Sequence, residues 1–313
     1  MFTKRSVVTV VSSALAASLI AGLTVQSAGA QAESCGGQVV TIIGSGTING
    51  TNGDDVIMGS GGNDTIRGLG GDDTICGGGG NDTLDGGLGS DNLYGGGGDD
   101  YLFGDWNPDE PPSDPIFGAG DDMLVGGSGD DHLYGGPGND HLFGDQTPSL
   151  SGLPIYYYGA GNDALLGGSG DDILVGGYGD DRLYGESGRN TLLGEAGDDV
   201  LYGQGGSAIL IGGSGDDIIY GGDNDDILQG GAGDDVLYGQ GGNDSLNGED
   251  GNDKLGGGAG ADVIFGGTGD DWLTGGDDND KLYGDAGFDL LNGGNGSDFC
   301  NGGNHEITFN CEY

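Results

Sequence analysis

Positive charge is what this chain has least of. Seven Lys plus Arg stand against 52 Asp plus Glu in 313 residues, for a formal net charge of −45. Binding to nucleic-acid phosphates needs Lys and Arg, so nucleic acid is excluded as a partner and cations are the natural counterpart. Histidine is almost as scarce: His132, His141 and His305 have no ligand spacing among them, which argues against zinc and leaves them as surface residues. After Val25 there is no long apolar or amphipathic segment, so the mature chain offers nothing to insert into a membrane as a pore. Neither HExxH nor GxSxG occurs, and the many GxGxxG matches are by-products of glycine content. Large apolar side chains are also few beside 80 glycines. A chain so composed is normally disordered, because it buries too little surface to offset the entropy of ordering. Disorder keeps no register, and register is therefore the property that decides.

The first thirty residues differ from the rest. Lys4 and Arg5 precede an apolar run from Val7 to Val25, and Ala28-Gly29-Ala30 or Ala30-Gln31-Ala32 then offers a small-residue cleavage site. This is the pattern of a cleavable secretory signal over residues 1–30; a retained anchor is the alternative, since the run is about long enough to span. Export places the mature chain outside the cell, where disulfides persist.

What fills the remainder is a nine-residue period. With the Asp of GGxGxD as position six, the series runs Asp55, Asp64, Asp73, Asp82, Asp91, Asp100, then Asp122, Asp131, Asp140, then Asp163, Asp172, Asp181. It continues through Asp199, Asp217, Asp226, Asp235, Asp244, Asp253, Asp262, Asp271, Asp280, Asp289 and Asp298, broken only by Asn190 and Ala208. Two residues beyond each of these 25 positions stands Ile or Leu in 24 cases and Cys300 in the last; glycine holds position one in 23 copies and position four in 23.

A nonamer cannot fold alone, since ordering nine residues costs roughly 9–18 kcal/mol of backbone entropy while one buried Leu returns about 1.5–3. Stacking copies is the remedy. The apolar residue is the middle of three non-turn positions, as in Val236-Leu237-Tyr238, which spells a very short strand with its central side chain inward. Glycine at positions one and four permits the positive φ that the intervening turn requires. Two nonamers then make one turn of a flattened right-handed coil: an all-β, two-sheet parallel β-roll with a Leu/Ile ladder between the sheets and a column of turns down each edge. This pattern resembles the RTX, or haemolysin-type, calcium-binding repeat GGxGxDxUx, whose fold is a parallel β-roll. The resemblance covers about residues 50–303.

Each edge column stacks its position-six Asp residues at about 4.8 Å, where two carboxylates repel by roughly 0.9 kcal/mol in water and about 3.5 at a dielectric of 20. A divalent cation between turns reverses the sign. Calcium suits carboxylates and glycine-exposed carbonyls, because it takes six to eight oxygen ligands in a flexible shell. The resemblance implies that each Ca2+ is shared by Asp and carbonyls of successive coils, so all 23 position-six Asp residues are candidate ligands. Position five, acidic or amide in 19 copies, is expected to brace the turn.

The breaks carry further expectations. Asn190 and Ala208, eighteen residues apart, should be adjacent in one column, with the Arg189 guanidinium partly replacing a missing ion or with simple drift as the alternative. Asp100 to Asp122 and Asp140 to Asp163 span 22 and 23 residues, two repeats plus four or five residues, which gives swollen turns near 104–117 and 144–158. If each contains a degenerate repeat, both project from one edge and Trp106, Phe117, Tyr156, Tyr157 and Tyr158 cluster into a candidate surface for a glycan or partner protein. If they loop out whole, they lie on opposite edges, and the aromatics serve as cover. A rod of about 12 coils, roughly 60 Å long, leaves Cys35–Cys76 and Cys300–Cys311 as the only pairings within a disulfide's reach, pinning caps at 31–49 and 304–313. The repeats and caps use up the mature chain, so a non-enzymatic, secreted calcium-binding role, structural or adhesive, is expected. The alternatives are an accessory roll of a secreted RTX enzyme or toxin system, or an acidic mineral-binding protein. Outward residues such as Tyr94, Tyr134, Arg182, Lys254 and Trp272 are too mixed for an ice-binding face.

Overall fold

The computed structural model describes residues 34–104, 122–128, 132–137, 140–144, 161–303 and 306–312. Its strands alternate between two parallel fourteen-stranded sheets, each strand hydrogen-bonding to those one coil before and after it. The first sheet runs from Ile42–Ile43 to Phe299–Asn301 and the second from Thr47–Asn49 to Glu306–Phe309. This is a parallel β-roll, and the described residues contain no helix. A small antiparallel hairpin, Ser34–Cys35 with Gln38–Val39, precedes it.

Most strands are six residues long, from position seven through position three, as in Val236–Gly241. The sequence suggests three. The difference arises because the glycine at position one does not end the strand; it bends it, and pairing resumes at positions two and three, as Gln240↔Gly258 and Gly241↔Ala259 show. Side-chain parity then decides what is inside. Along Val236–Gly241 burial alternates, and positions six, eight and one face the interior together. The position-eight ladder from Ile57 to Leu291 is buried throughout and, with Ile42, Ile48, Ala208 and Cys300, forms one continuous core. The inward face of each strand therefore reads Asp, Leu, Gly.

Parity also corrects the role of the glycines. Positive φ falls at positions two and four, as at Gly231 and Gly233, not at position one. Asn224 and Asp278 adopt it at position four with φ of 80° and 74°. Position one is glycine for want of room: a Cβ on Gly221 would lie 2.6 Å from Asp226 Oδ2 and 2.8 Å from the carbonyl oxygen of Gly239, one coil on.

The two long breaks are resolved by the flanking strands. Tyr101–Phe103 lies in the second sheet and Met123–Ser128 in the first, so 100 to 122 is a single step between sheets with 13 residues beyond one nonamer. His141–Phe143 and Ala164–Ser169 make the reverse step. Neither break adds a rung to a sheet, and the two steps lie on opposite edges of the roll. The two steps thus follow the opposite-edge alternative and not the shared-edge one. Trp106, Phe117, Tyr156, Tyr157 and Tyr158 themselves lie outside the described residues, as do the signal segment 1–30, Asp131 and His305.

Both disulfides are present, Cys35–Cys76 and Cys300–Cys311, each with Cα atoms 5.8 Å apart. The first ties the hairpin to the outer face of the first sheet; Cys300 occupies an inward position of the ladder, so the second closes the far end of the core.

Glycines at positions one and three should therefore respond differently to an added methyl group. Gly230→Ala would press on Asp235 Oδ2 and lie 2.9 Å from the Gly248 carbonyl oxygen, whereas a Cβ on Gly241 meets nothing closer than 3.8 Å. In calcium, Gly230→Ala should cost about 1–3 kcal/mol and Gly241→Ala should be neutral or stabilising by up to about 1 kcal/mol. Thermal melts of the two variants check this, and equal melting temperatures would contradict it.

Candidate metal centre

The Asp residues of position six stand two residues before the core Leu, so the parity that buries Leu buries them. Asp73, Asp199, Asp217 and their equivalents are 0–3 % exposed along both edges, with Asp55 at 9 %. Each column is held by a repeated bond: the backbone N–H of one Asp donates to Oδ1 of the Asp one coil on, as from Asp217 to Asp235 (2.8 Å) and from Asp235 to Asp253 (2.8 Å). The bond bridges both insertions, from Asp91 to Asp122 and from Asp140 to Asp172.

That bond uses one carboxylate oxygen. The other, Oδ2, is buried without a hydrogen-bond partner in Asp73, Asp82, Asp172, Asp199, Asp217, Asp226, Asp235, Asp244, Asp253, Asp262, Asp271, Asp280 and Asp298. It points to the place that a position-one Cβ would fill, against the position-one carbonyl oxygen of the next coil. Burial raises these carboxyls well above the ordinary 3.8: Asp73, Asp82, Asp172, Asp244, Asp253 and Asp280 to about 6, and Asp100, Asp199, Asp217, Asp226, Asp235, Asp262 and Asp271 to about 7. The N–H bond from the preceding coil opposes the shift, and neighbouring carboxylates add to it. Desolvation, rather than the repulsion between stacked charges that the sequence suggests, is thus the largest cost. The columns are not exposed edges but the margins of the core.

A carboxylate so placed needs a proton or a cation. The groups facing it are hard oxygen donors, which favour calcium over zinc or copper. Among the described residues no three His, Cys, Asp or Glu side chains converge as a metal cluster, so backbone carbonyls must complete any shell. Glycine at position one is what brings a carbonyl that close.

The columns are not uniform. At the first two stations Oδ2 is already satisfied: Asp55 accepts from Thr51 N–H (2.6 Å) and Oγ1 (2.8 Å), and Asp64 from Ser60 N–H (2.6 Å). Asn190 and Ala208 are adjacent, since Thr191 pairs with Ile209. Asn190 keeps the ladder bond through Oδ1, 2.9 Å from the Asp172 nitrogen, but sets an unpartnered amide nitrogen where Oδ2 would be. Ala208 supplies a methyl group. Arg189 does not repair this gap: its guanidinium reaches outward to Asp171 Oδ2 at 3.0 Å on the exposed side of the turn. Positions five and six face opposite ways, so a position-five side chain cannot reach the buried column.

Position five forms a second ladder that spacing alone does not reveal. Its side-chain oxygen accepts the N–H of the residue one coil on, as Asp216 does from Asp234 (2.8 Å) and Asp234 from Asn252 (2.8 Å). The bracing expected there runs between coils, in the opposite sense to the inner column. Of the histidines, His132 stacks on Tyr101 with ring centroids 4.7 Å apart, and His141 is exposed.

Roll, buried carboxylate columns and carbonyl-lined turns define a calcium-binding repeat protein. The sequence profile of the RTX calcium-binding nonapeptide repeat (4 copies) matches residues 49–84, 77–110, 118–146, 157–192, 175–210, 184–219, 202–237, 220–255, 256–291 and 276–304. The chain belongs to that family, and its repeats imply Ca2+ binding. A search of the curated proteins found no match.

The raised carboxyls give a signed pH dependence. In chelator the folded chain holds more protons than the open chain between about pH 4 and 7, so its stability is greatest below 3.8 and is lost as pH rises through about 6 to 7. Circular dichroism of the chelated protein should therefore show β-structure growing as pH falls from 7.5 toward 4.5. A signal that is flat across this range, or that weakens on acidification, would contradict the burial account.

Proposed function

We propose that the chain is an exported, non-enzymatic calcium-dependent module with a structural or adhesive role at or near the cell surface, whose folding is coupled to Ca2+ binding. The observation that carries this reading is the line of buried Oδ2 atoms. Each charged carboxylate there is disfavoured by on the order of a few kcal/mol relative to the open chain, and a domain's net stability is only about 5–15 kcal/mol. Two or three such groups suffice to undo the fold unless a cation accompanies them. Folding and metal binding then become one reaction.

Export is supported by Lys4 and Arg5, the apolar run to Val25 and the small-residue processing sites. The two disulfides suit an oxidising compartment, and calcium there is abundant enough to load weak sites. A binding or scaffolding role agrees with the regular outer faces of the two sheets and with the lack of HExxH or GxSxG motifs.

Fractionation of the producing cells tests export. The protein should be recovered outside the cell with Gln31 or Glu33 as its first residue and with all four cysteines oxidised. Recovery from the cytoplasm as the full-length chain with free thiols would overturn it.

A further inference from the structure

The outer face of the second sheet carries a ladder at position nine: Tyr184, Tyr202, Tyr220 and Tyr238 stack with ring centroids 4.9, 4.9 and 5.5 Å apart. The next rung is Gly256, and the one after it is Thr274. The ladder therefore ends at Tyr238. Gly256 stacks no ring on Tyr238, and the space beyond it opens into a groove of about 560 Å³ lined also by Gln240, Lys254 and Trp272. Volumes of this size suit small-molecule sites.

The lining has two characters. Tyr238 and Trp272 are 43 % and 53 % exposed, and Gly256 forms the floor between them and Thr274. Around this apolar slot stand three polar groups, the Gln240 amide, the Lys254 ammonium and the Thr274 hydroxyl, none of which bonds to another described residue. Gly256 is not a glycine that the backbone needs. A Cβ there would meet only the Tyr238 ring, at 3.4 and 3.8 Å, which is ordinary contact.

We infer that this slot binds a neutral hexopyranose ring of a glycan. A pyranose presents a flat C–H face that packs on an aromatic ring, whose electron-rich surface attracts the positive edges of C–H bonds. The slot continues the stack past Tyr238 with Trp272 beside it, so a flat ring can extend the ladder there. The hydroxyls at the edge of a sugar supply partners for Gln240, Lys254 and Thr274, which a plain aromatic ring would leave unused. Anionic sugars are disfavoured by Asp277 and Asp278, which are exposed beside Gly276 of the slot and outside the buried columns. The inference rests on the binding role proposed above and adds its ligand class and site.

The test uses the calcium-loaded mature chain carrying Trp106→Phe, so that Trp272 is the only tryptophan. Methyl glycosides of glucose, galactose and mannose, and their short oligomers, are titrated to about 10 mM, with indole as a separate probe. At least one glycoside should change Trp272 emission saturably. Gly256→Tyr, which extends the ladder into the slot, should abolish that response while leaving the calcium-induced dichroism intact. Trp272→Ala, followed by calorimetry, should weaken binding about tenfold or more. The inference is overturned if no glycoside binds, if indole alone binds, or if either variant binds as well as the parent. Because the dichroism is read independently, failure here is distinguishable from failure of the calcium reading.

Discussion

A carboxylate buried beside a hydrocarbon ladder is tolerable only when something neutralises it, and in this roll the demand recurs at nearly every half-coil. In Asp217, Asp235 and their like one oxygen is fixed by the N–H of the preceding coil, and the other is left facing a carbonyl. That division of labour sets the remaining architecture. Position six must be Asp for the ladder bond and the charge. Position eight must be apolar because it shares the inward face, and position one must be glycine because Oδ2 and a neighbour's carbonyl crowd the place of its Cβ. On the function proposed above, the metal is a condition of the fold rather than an addition to it.

Two ladders of opposite sense lock each turn. The inner column donates from one coil forward to a carboxylate in the next, while the outer column at position five donates backward, as from Asn252 to Asp234. Coils are thus joined by side chains on both sides of the turn as well as by the sheets. Where Asn190 and Ala208 interrupt one inner column, the sheets and the outer bond between Arg189 and Asp171 continue without a break. At the N-terminal end Thr51 and Ser60 satisfy Asp55 and Asp64 internally.

Much of this was legible because the repeat is strict. The 9-residue register fixes the parity of Asp and Leu, and hence the two sheets, the core from Ile57 to Leu291 and, through rod length, both disulfides. What escaped is what depends on neighbouring coils rather than on the repeat itself. A glycine chosen for space looks the same in sequence as one chosen for φ, so the repeat separates neither position one from position four nor a six-residue strand from a three-residue one. Spacing alone left the parity of the two insertions open; only the sheet membership of Tyr101–Phe103 and Met123–Ser128 resolves it. Arg189 sits next to Asn190 in the chain, yet alternation turns it to the other face.

The central claim is that the buried columns make the metal-free chain unstable at neutral pH. Its most direct test follows the mature protein, stripped by chelator at pH 7.5, by circular dichroism and small-angle X-ray scattering as calcium is added. The account requires an expanded, weakly structured chain that passes cooperatively to a β-rich rod about 60 Å long. A stripped chain that already has the dimensions of the rod, and that melts no earlier than the loaded one, would contradict it.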